Sequence, residues 1–219
     1  PKSIWNVVPA TLVFALIFGF RLWQLPVVTA NAFSAGMDAP ASVVDKMEGR
    51  HGVVSVVDFG SKRTIWLNSS YVLGGNRSVI DDMRLGFLPS LLAGHSGNSA
   101  AVIGIATGIS LSGVALGDWA RIDAVELIPE VATFANKYFS TDNGNVLQKN
   151  NVNVIVDDGR HFLRGKEGTY SMVVSDLFIP WQEGSASLYS LDHFRSVNNS
   201  LGDSAFFMLW LPMYEITKK

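Results

Sequence analysis

Three carboxylates each come directly after a short apolar run in the second half of the chain. Glu126 ends the run "ARIDAVE", Asp158 ends "NVNVIVDD" and Asp176 ends "YSMVVSD". If these runs are parallel strands of one sheet, their carboxyl ends meet at the edge where such sheets bind ligands. Carboxylates held at one edge repel one another unless they are hydrogen-bonded or face positive charge. The three acids therefore predict a cationic ligand, such as a sulfonium or a polyamine.

A turn of small residues precedes these acids. The apolar run "AAVIGIA" contains Gly104 and leads into Thr107 and Gly108, which would let the backbone approach a ligand at the start of a helix. Glu126 follows about 20 residues later, the spacing of an acid that holds the hydroxyl pair of a ribose. Ala106 stands where a pyrophosphate loop has its middle glycine, and no Walker motif is present. We therefore predict a nucleoside ligand without phosphate.

The third apolar run ends in two adjacent acids, Asp157 and Asp158. Adjacent residues of an extended chain point to opposite faces, so one acid can reach a ligand amine such as the amino group of adenine. The other is expected to be solvated or to cap the helix that follows. A second interpretation is that both acids serve as helix caps.

Five apolar runs alternate with helical segments after residue 99, and this alternation predicts the fold. Continuous apolar strands joined by helices are typical of a parallel sheet covered on both faces. We predict a Rossmann-like, doubly wound and mostly parallel α/β domain over residues 76–219, with a small β-hairpin element over 49–75 in front of it. The chain ends soon after the fifth run, and an incomplete sheet edge would need cover from a partner or from C-terminal strands that are missing here.

The N-terminal segment is strongly apolar. Residues 3–20 carry no charge, and Trp5 and Trp23 lie near the two ends, where interfacial aromatic residues belong. We predict a transmembrane helix within residues 1–25 and a linker over 26–48, with the following domain membrane-anchored on the cytoplasmic side. A buried helix, or one that lies on the membrane surface, is the alternative.

The composition excludes several classes of site. Lys and Arg number 17 against 19 Asp and Glu, a balance that argues against a nucleic-acid partner bound through its phosphates. The chain has no cysteine, and its four histidines show no metal-ligand spacing, so we expect no metal.

A series of motifs runs in order from about Glu48 to Thr217. They are "EGRHGVVSVVD", "LNSSYVLGG", "VIGIATGIS", "DAVELIPEV", "VDDGRHFL", "VVSDLFIPW", "ASLYSLDHF" and "FFMLWLPMYEI". Together they resemble the spermidine/spermine synthase family, and most closely its membrane-anchored, fused spermidine-synthase-like branch. The resemblance implies a Rossmann-like domain with a small N-terminal β element. In that branch a bundle of transmembrane helices precedes the domain, so residues 3–20 look like its last helix.

The resemblance also implies a reaction. In this family an aminopropyl group passes from decarboxylated S-adenosylmethionine to a diamine such as putrescine, and methylthioadenosine leaves. Carried across by motif, Asp176 is the general base, Glu126 holds the ribose and Asp158 holds the adenine amine. The other expected site residues are Gly104, Thr107, Gly108 and Gly159 around the nucleoside, and Tyr71, Tyr189 and Trp181 around the substrate.

Two stretches depart from the family pattern. The family's D-x-x-D-P run reads "DLFIP" from Asp176, which places Ile179 at the second acid. The family's Y-H-E run corresponds to "DDM" from Asp81. These departures concern the diamine side of the site.

Three functions remain open from the sequence, because a fold does not fix a function. The first is aminopropyl transfer by a chain tethered to a membrane. The second is another S-adenosylmethionine-dependent transfer, with Phe178, Trp181 and Tyr189 around a less charged acceptor. The third is a non-catalytic scaffold in a membrane complex. We expect the partners to be a nucleoside, a polyamine, the membrane, and either a second copy of the chain or other subunits of that complex.

Overall fold

The computed structural model describes residues 40–93, 98–176, 178–180 and 184–211. The predicted membrane helix, most of the predicted linker and Trp181 lie outside these ranges, so the membrane anchor and its orientation stay predictions. Within the described ranges, no helix combines the length and the apolar character that crossing a bilayer requires.

An antiparallel sheet of four strands begins the described part of the chain. Its strands pair in chain order and are β1 (Ala41–Gly49), β2 (Gly52–Phe59), β3 (Lys62–Leu67) and β4 (Tyr71–Gly75). The sequence predicted two of these strands, and it placed residues 41–48 in the linker. β1 escapes the sequence pattern for two reasons. Its second half is mostly charged and exposed, and an irregularity between Val43 and Asp45 interrupts its alternation.

The second sheet is the predicted parallel sheet. Its strands are β5 (Ser99–Ile103), β6 (Arg121–Glu126), β7 (Val152–Val156), β8 (Tyr170–Ser175) and β9 (Leu201–Leu209). Their order is β7-β6-β5-β8-β9, and every neighbouring pair is parallel. The winding direction therefore reverses between β5 and β8. At such a reversal the loops at the carboxyl ends of two adjacent strands diverge and leave a crevice for a ligand.

Helices cover both faces of the parallel sheet. They are α1 (Val79–Ala93), α2 (Ile109–Val114), α3 (Pro129–Tyr138), α4 (Gly159–Leu163) and α5 (Leu191–Ser200). One apolar cluster joins the sheet to α2 and α3, and a second joins its other face to α4 and α5. A third cluster places Val131 and Phe134 of α3 against the small sheet. Two short 3₁₀ turns, Val146–Gln148 and Ser185–Tyr189, complete the connections.

Two glycines let α1 and α2 cross with their backbones in contact. A Cβ atom added at Gly86 would lie 1.9 Å from the carbonyl oxygen of Ser110, and one added at Gly113 would lie 1.9 Å from that of Met83. No side chain fits at either position, because real Cβ atoms do not approach other atoms so closely. The crossing therefore fixes the start of α2, which follows the turn at the end of β5, against α1.

A hydrogen bond from the side chain of Trp210 replaces a backbone hydrogen bond that α1 cannot form. Pro89 lies inside α1 and has no N–H, so the carbonyl oxygen of Leu85 lacks its normal donor four residues later. The indole N–H of Trp210 donates to this oxygen at 2.9 Å. The residue that follows β9 thus satisfies a backbone group of α1.

We predict that Trp210→Phe lowers the free energy of unfolding by about 1–2 kcal/mol, because it leaves the Leu85 carbonyl without its donor. In a Pro89→Ala background the same change should cost less, since alanine at this position supplies the missing N–H. Urea unfolding of the two single variants and the double variant measures this difference. Equal costs of Trp210→Phe in the two backgrounds would contradict the proposed role of the indole.

Candidate functional site

The turn after β5 has an unusual backbone. Gly104, Ala106 and Gly108 all have positive φ angles, of 90°, 47° and 79°. Backbone hydrogen bonds hold this conformation, since Gly104 N–H donates to the Val125 oxygen at 2.8 Å and Gly108 N–H donates to the Ile105 oxygen at 2.7 Å. Gly104 also lies under a ring: a Cβ atom there would be 2.9 Å from Phe178. The positive φ angle of Ala106 costs conformational free energy, because left-handed backbone is unfavourable for residues with a Cβ.

The carboxylate of Glu126 holds this turn. Its Oε2 atom accepts the N–H of Ile105 at 3.0 Å and that of Ala106 at 3.4 Å, while Oε1 accepts the N–H of Ile128 at 3.0 Å. The side chain is buried. Burial raises the pKa of Glu126, and the backbone N–H groups oppose that rise because they stabilise the charged form. The structure thus places Glu126 at the end of β6 beside the small-residue turn, and its contact with a ribose stays a prediction.

The side chain of Asn143 supports the turn at Thr107 and Gly108. The side-chain amide of Asn143 donates to the Thr107 oxygen at 2.9 Å and to the Ala135 oxygen at 3.2 Å. The positive φ angle of Gly108 favours glycine, and a Cβ atom there would lie 2.8 Å from the end of the Leu147 side chain. Nothing in the sequence pattern singled out Asn143, because its loop has no apolar periodicity.

Asp158 serves as a helix cap in this structure. Its Oδ1 atom accepts the N–H of Arg160 at 2.9 Å, and its Oδ2 atom pairs with the Arg160 guanidinium at 2.6 Å. The pair with Arg160 lowers the pKa of Asp158. Gly159 lets α4 approach β5, since a Cβ atom there would be 2.5 Å from Ile103. Asp157 is not part of this cap: it accepts the N–H of Asp158, which lies before the helix, at 2.8 Å and contacts Nδ1 of His161 at 2.8 Å.

Asp176 lies at the point where the sheet reverses. Its N–H donates to the Ile103 oxygen at 3.1 Å, which brings the end of β8 against the end of β5. Its Oδ2 atom accepts the hydroxyl of Ser110 at 2.7 Å. The Cβ atom of Asp176 is 3.5 Å from the position of a Cβ at Gly104. Asp176 thus lies directly beside the small-residue turn, and Ser110 is a partner that the sequence did not indicate.

Asp82 of α1 is a further acid at this edge. Burial raises the pKa of Asp82 to about 6, and the negative charges of Asp176 and Asp81 contribute to the rise. Asp82 therefore lies within electrostatic range of Asp176. In the sequence, Asp82 drew attention only within the "DDM" stretch that stands at the family's Y-H-E run. It also lies in the first turn of α1, a position that favours acids for reasons unrelated to a ligand.

Tyr71 and Tyr189, which were predicted to contact the substrate, lie on different elements of the structure. The hydroxyl of Tyr189 donates to the Phe178 oxygen at 2.5 Å and so holds the loop that follows Asp176. Tyr71 begins β4, the strand in which Gly74 approaches Thr107: a Cβ at Gly74 would be 3.2 Å from the Thr107 methyl group. The contacts of Tyr71 and Tyr189 with a substrate stay predictions.

The candidate site residues are spread along the carboxyl-end edge of the parallel sheet. Gly104, Glu126 and Asp176 lie together on β5 and its two neighbours, whereas Asp158 follows β7. Three strand spacings separate β7 from β8, or about 14 Å. The site can therefore hold a long ligand, with a nucleoside at the β5–β6–β7 end and a charged group near β8. Across the described residues, no group of acids and histidines has the geometry of a metal site.

The fold and site define a Rossmann-like α/β domain with an acidic edge at its reversal point. Comparison with known proteins identifies the family: the spermine/spermidine synthase domain matches residues 90–217, and the chain belongs to that family. A curated relative, the polyamine aminopropyltransferase of Corynebacterium efficiens, is 31% identical over 156 residues, which are 68% of this chain. The chain spans 29% of the length of that relative.

Solved structures agree on the fold. A spermidine synthase in complex with the transition-state analogue AdoDATO matches with a TM-score of 0.69 at 14% identity, over 76% of this chain and 57% of that one. The spermidine synthase from Thermotoga maritima matches with a TM-score of 0.67 at 14% identity, over 76% and 56% of the two chains.

Substitutions at Gly104 and Ala106 of the turn after β5 are predicted to affect stability differently. Gly104→Ala should destabilise the protein by about 2–4 kcal/mol, because it adds a Cβ in left-handed backbone and presses on the Phe178 ring. Ala106→Gly should change the stability by less than about 1 kcal/mol, since relief of backbone strain offsets the added freedom of the unfolded chain. Urea unfolding measures both, and a Gly104→Ala variant as stable as the parent chain would contradict the turn geometry.

Asp82 yields a prediction about pH. Its folded pKa of about 6 exceeds the ordinary value of 3.8, so the folded state is penalised increasingly as pH rises from about 4, fully above about 6, and the penalty disappears as pH falls below 4. Asp82→Asn should therefore stabilise the protein at pH 8, by about 1–2 kcal/mol after allowance for solvent screening, and much less at pH 4. Thermal unfolding at the two pH values measures the effect. The control is Asp192→Asn, because that exposed side chain on α5 is paired with Arg195 and should change stability little at either pH.

Proposed function

We propose that the chain catalyses aminopropyl transfer from decarboxylated S-adenosylmethionine to a diamine. In this reaction the amine nitrogen attacks the aminopropyl carbon next to the sulfonium. The new C–N bond forms as the C–S bond breaks, and the sulfur leaves as the neutral thioether of methylthioadenosine. The attacking amine loses a proton, which the carboxylate of Asp176 accepts.

The nucleoside half of the proposal rests on the turn after β5. Gly104 and Gly108 place no side chain on this turn, and the buried carboxylate of Glu126 keeps it in shape. The lack of a pyrophosphate-type glycine pattern favours a nucleoside without phosphate. The acids near β7 supply acceptors for an exocyclic amine, provided that Asp158 exchanges its bond to Arg160 for one to the ligand.

The amine half rests on Asp176, and its position is the single observation that carries the proposal. Asp176 lies at the reversal point of the sheet, next to Gly104, with one oxygen oriented by the Ser110 hydroxyl. A carboxylate in this place attracts a protonated amine, which loses one proton before it can attack, and it can accept the proton that the neutral amine gives up as the C–N bond forms. A sulfonium held along the turn would lie close to the same negative charge.

The names of relatives point the same way. The curated relative is a polyamine aminopropyltransferase, and one structural match is a spermidine synthase that holds a transition-state analogue. Both proteins are longer than the part this chain matches, and the structural likeness at 14% identity supports the fold alone. The reaction of this chain is therefore inferred from its own residues together with its family.

A second candidate is transfer of a different group from S-adenosylmethionine to a less charged acceptor. The observation in its favour is the Phe178 ring, which packs against Gly104 directly after Asp176 and makes this part of the edge apolar. Ile179, next in the chain, adds to the apolar character.

Calorimetric titration of the full chain with decarboxylated S-adenosylmethionine, S-adenosylmethionine and methylthioadenosine tests the proposal. We expect the decarboxylated donor and methylthioadenosine to bind, and the donor plus putrescine to give methylthioadenosine as product. Asp176→Asn should reduce kcat about 10²–10⁴-fold, because the base is lost, while nucleoside binding stays nearly unchanged. The control is Asp192→Asn, an exposed acid on α5 paired with Arg195, which should change neither quantity.

Failure to bind any of the three ligands would refute both enzymatic functions. Preferred binding of S-adenosylmethionine, with no turnover of the decarboxylated form, would support the second candidate. An Asp176→Asn variant that retains full kcat would remove Asp176 from the mechanism.

A further inference from the structure

The imidazole of His193 is buried without a hydrogen bond. The residue is 1% exposed, and neither ring nitrogen has a partner among the residues that the structure describes. The ring instead packs against Phe194 and Phe207, with centroid separations of 6.0 and 6.4 Å. A phenylalanine would make these contacts without burying unsatisfied polar atoms, which destabilise a folded state. The function proposed above gives His193 no role, so its two nitrogens need another explanation.

Two neighbouring helices bring His193 towards the pair of Asp158 and Arg160. α4 and α5 lie on the same face of the parallel sheet and contact each other. Each connects two parallel strands, so each begins at the carboxyl-end edge of the sheet and runs back to the opposite edge. Arg160 lies in the first turn of α4, and His193 lies in the first turn of α5. The two residues therefore lie at the same end of adjacent helices.

The face of α5 that carries His193 packs towards α4. His193 precedes Val197 by one helical turn, so both residues lie on the same face. Val197 shares an apolar cluster with Phe162 of α4. Burial lowers the pKa of His193, and the charge of Arg160 lowers it further, while the charge of Asp158 opposes this change. The ring is therefore neutral at pH 7, and one of its nitrogens can accept a hydrogen bond.

Nucleoside binding creates a need for such an acceptor. Without a ligand, the Asp158 carboxylate pairs with the Arg160 guanidinium at 2.6 Å, and the Arg160 side chain is only partly exposed to water. If Asp158 bonds instead to an exocyclic amine, as proposed above, Arg160 loses its carboxylate partner. A charge-assisted hydrogen bond is then given up, and ligand binding is weakened unless another acceptor replaces it.

We infer that His193 is the second partner of Arg160: when the nucleoside amine takes Asp158, the guanidinium donates to the neutral imidazole of His193. His193 is thus a positioning residue that acts through Arg160 and does not touch the ligand. This inference rests on the proposed function, because it concerns the adenine end of the same site. It gives the site a preference for nucleosides that carry an exocyclic amine, since only these displace Arg160 from Asp158.

Thermal unfolding and calorimetric titration of the full chain with His193→Phe test the inference. Without ligand, the variant should unfold at a temperature about 2–4 °C higher, because the unsatisfied nitrogens are gone and the ring contacts remain. It should nevertheless bind methylthioadenosine at least about 10-fold more weakly, because the displaced Arg160 finds no second acceptor. A packing role alone would instead lower stability and affinity together. His193→Leu is measured in parallel, since it removes the acceptor with a smaller side chain than phenylalanine.

Three comparisons isolate the exchange of Arg160. His193→Gln supplies an amide oxygen as acceptor and should retain methylthioadenosine affinity within about 3-fold. The analogue of methylthioadenosine that lacks the 6-amino group leaves Arg160 on Asp158, so the parent chain and His193→Phe should bind it within about 2-fold of each other. In an Arg160→Met background there is no guanidinium to accommodate, and His193→Phe should change methylthioadenosine affinity less than about 2-fold.

The outcomes separate this inference from the proposed function. If the parent chain prefers methylthioadenosine to the analogue and His193→Phe behaves like the parent, the role of His193 is refuted and the proposed function stands. An equal loss for both nucleosides, or a loss that persists in the Arg160→Met background, refutes the role as well. If the parent chain binds both nucleosides equally, Asp158 does not hold the amine and the inference is refuted, whereas formation of methylthioadenosine still tests the proposed function. If it binds neither, the proposed function fails and the inference fails with it.

Discussion

The hydrogen bonds from the backbone to Glu126 are the constraint on which the site depends. One carboxylate at the end of β6 accepts N–H groups from the turn after β5 and from the start of α3. Without it, consecutive residues in left-handed or tightly turned backbone would have buried N–H groups with no acceptor, which is costly. The same carboxylate therefore determines the shape of the turn and the direction in which α2 leaves the sheet.

Contacts between backbones set the positions of the other site elements relative to that turn. α2 starts where the turn ends, and the glycines at its crossing with α1 leave no space for side chains between the two helices. Ser110 therefore meets α1 on one side and Asp176 on the other. The acidic edge is built from three separate parts of the chain, and their relative positions are fixed by close packing rather than by flexible side chains.

The sequence predicted the parallel sheet well because its strands contain short apolar runs, such as "AAVI" in β5 and "MVV" in β8, a pattern that needs no tertiary information. It also placed Glu126 and Asp176 at strand ends, since parallel strands bring their carboxyl ends to one edge. It did not reveal β1, whose second half is mostly charged and exposed and shows no apolar alternation. It did not reveal Asp82 as part of the edge either, because the position depends on how α1 crosses α2. Asp158 shows a further limit: a residue at a strand end is equally placed to cap the next helix, and spacing does not distinguish the two roles.

The bond between Trp210 and Leu85 has a consequence for how the chain reaches its folded state. The two residues are 125 positions apart in the sequence, so α1 gains this contact after nearly all of the parallel sheet has been synthesised. Because Pro89 has no N–H, α1 cannot supply the donor for the Leu85 oxygen itself. Contacts of such long sequence separation slow folding, because loop-closure entropy is lost before they form. During translation, the Leu85 carbonyl can thus gain its indole donor only after Trp210, which follows β9, has been synthesised.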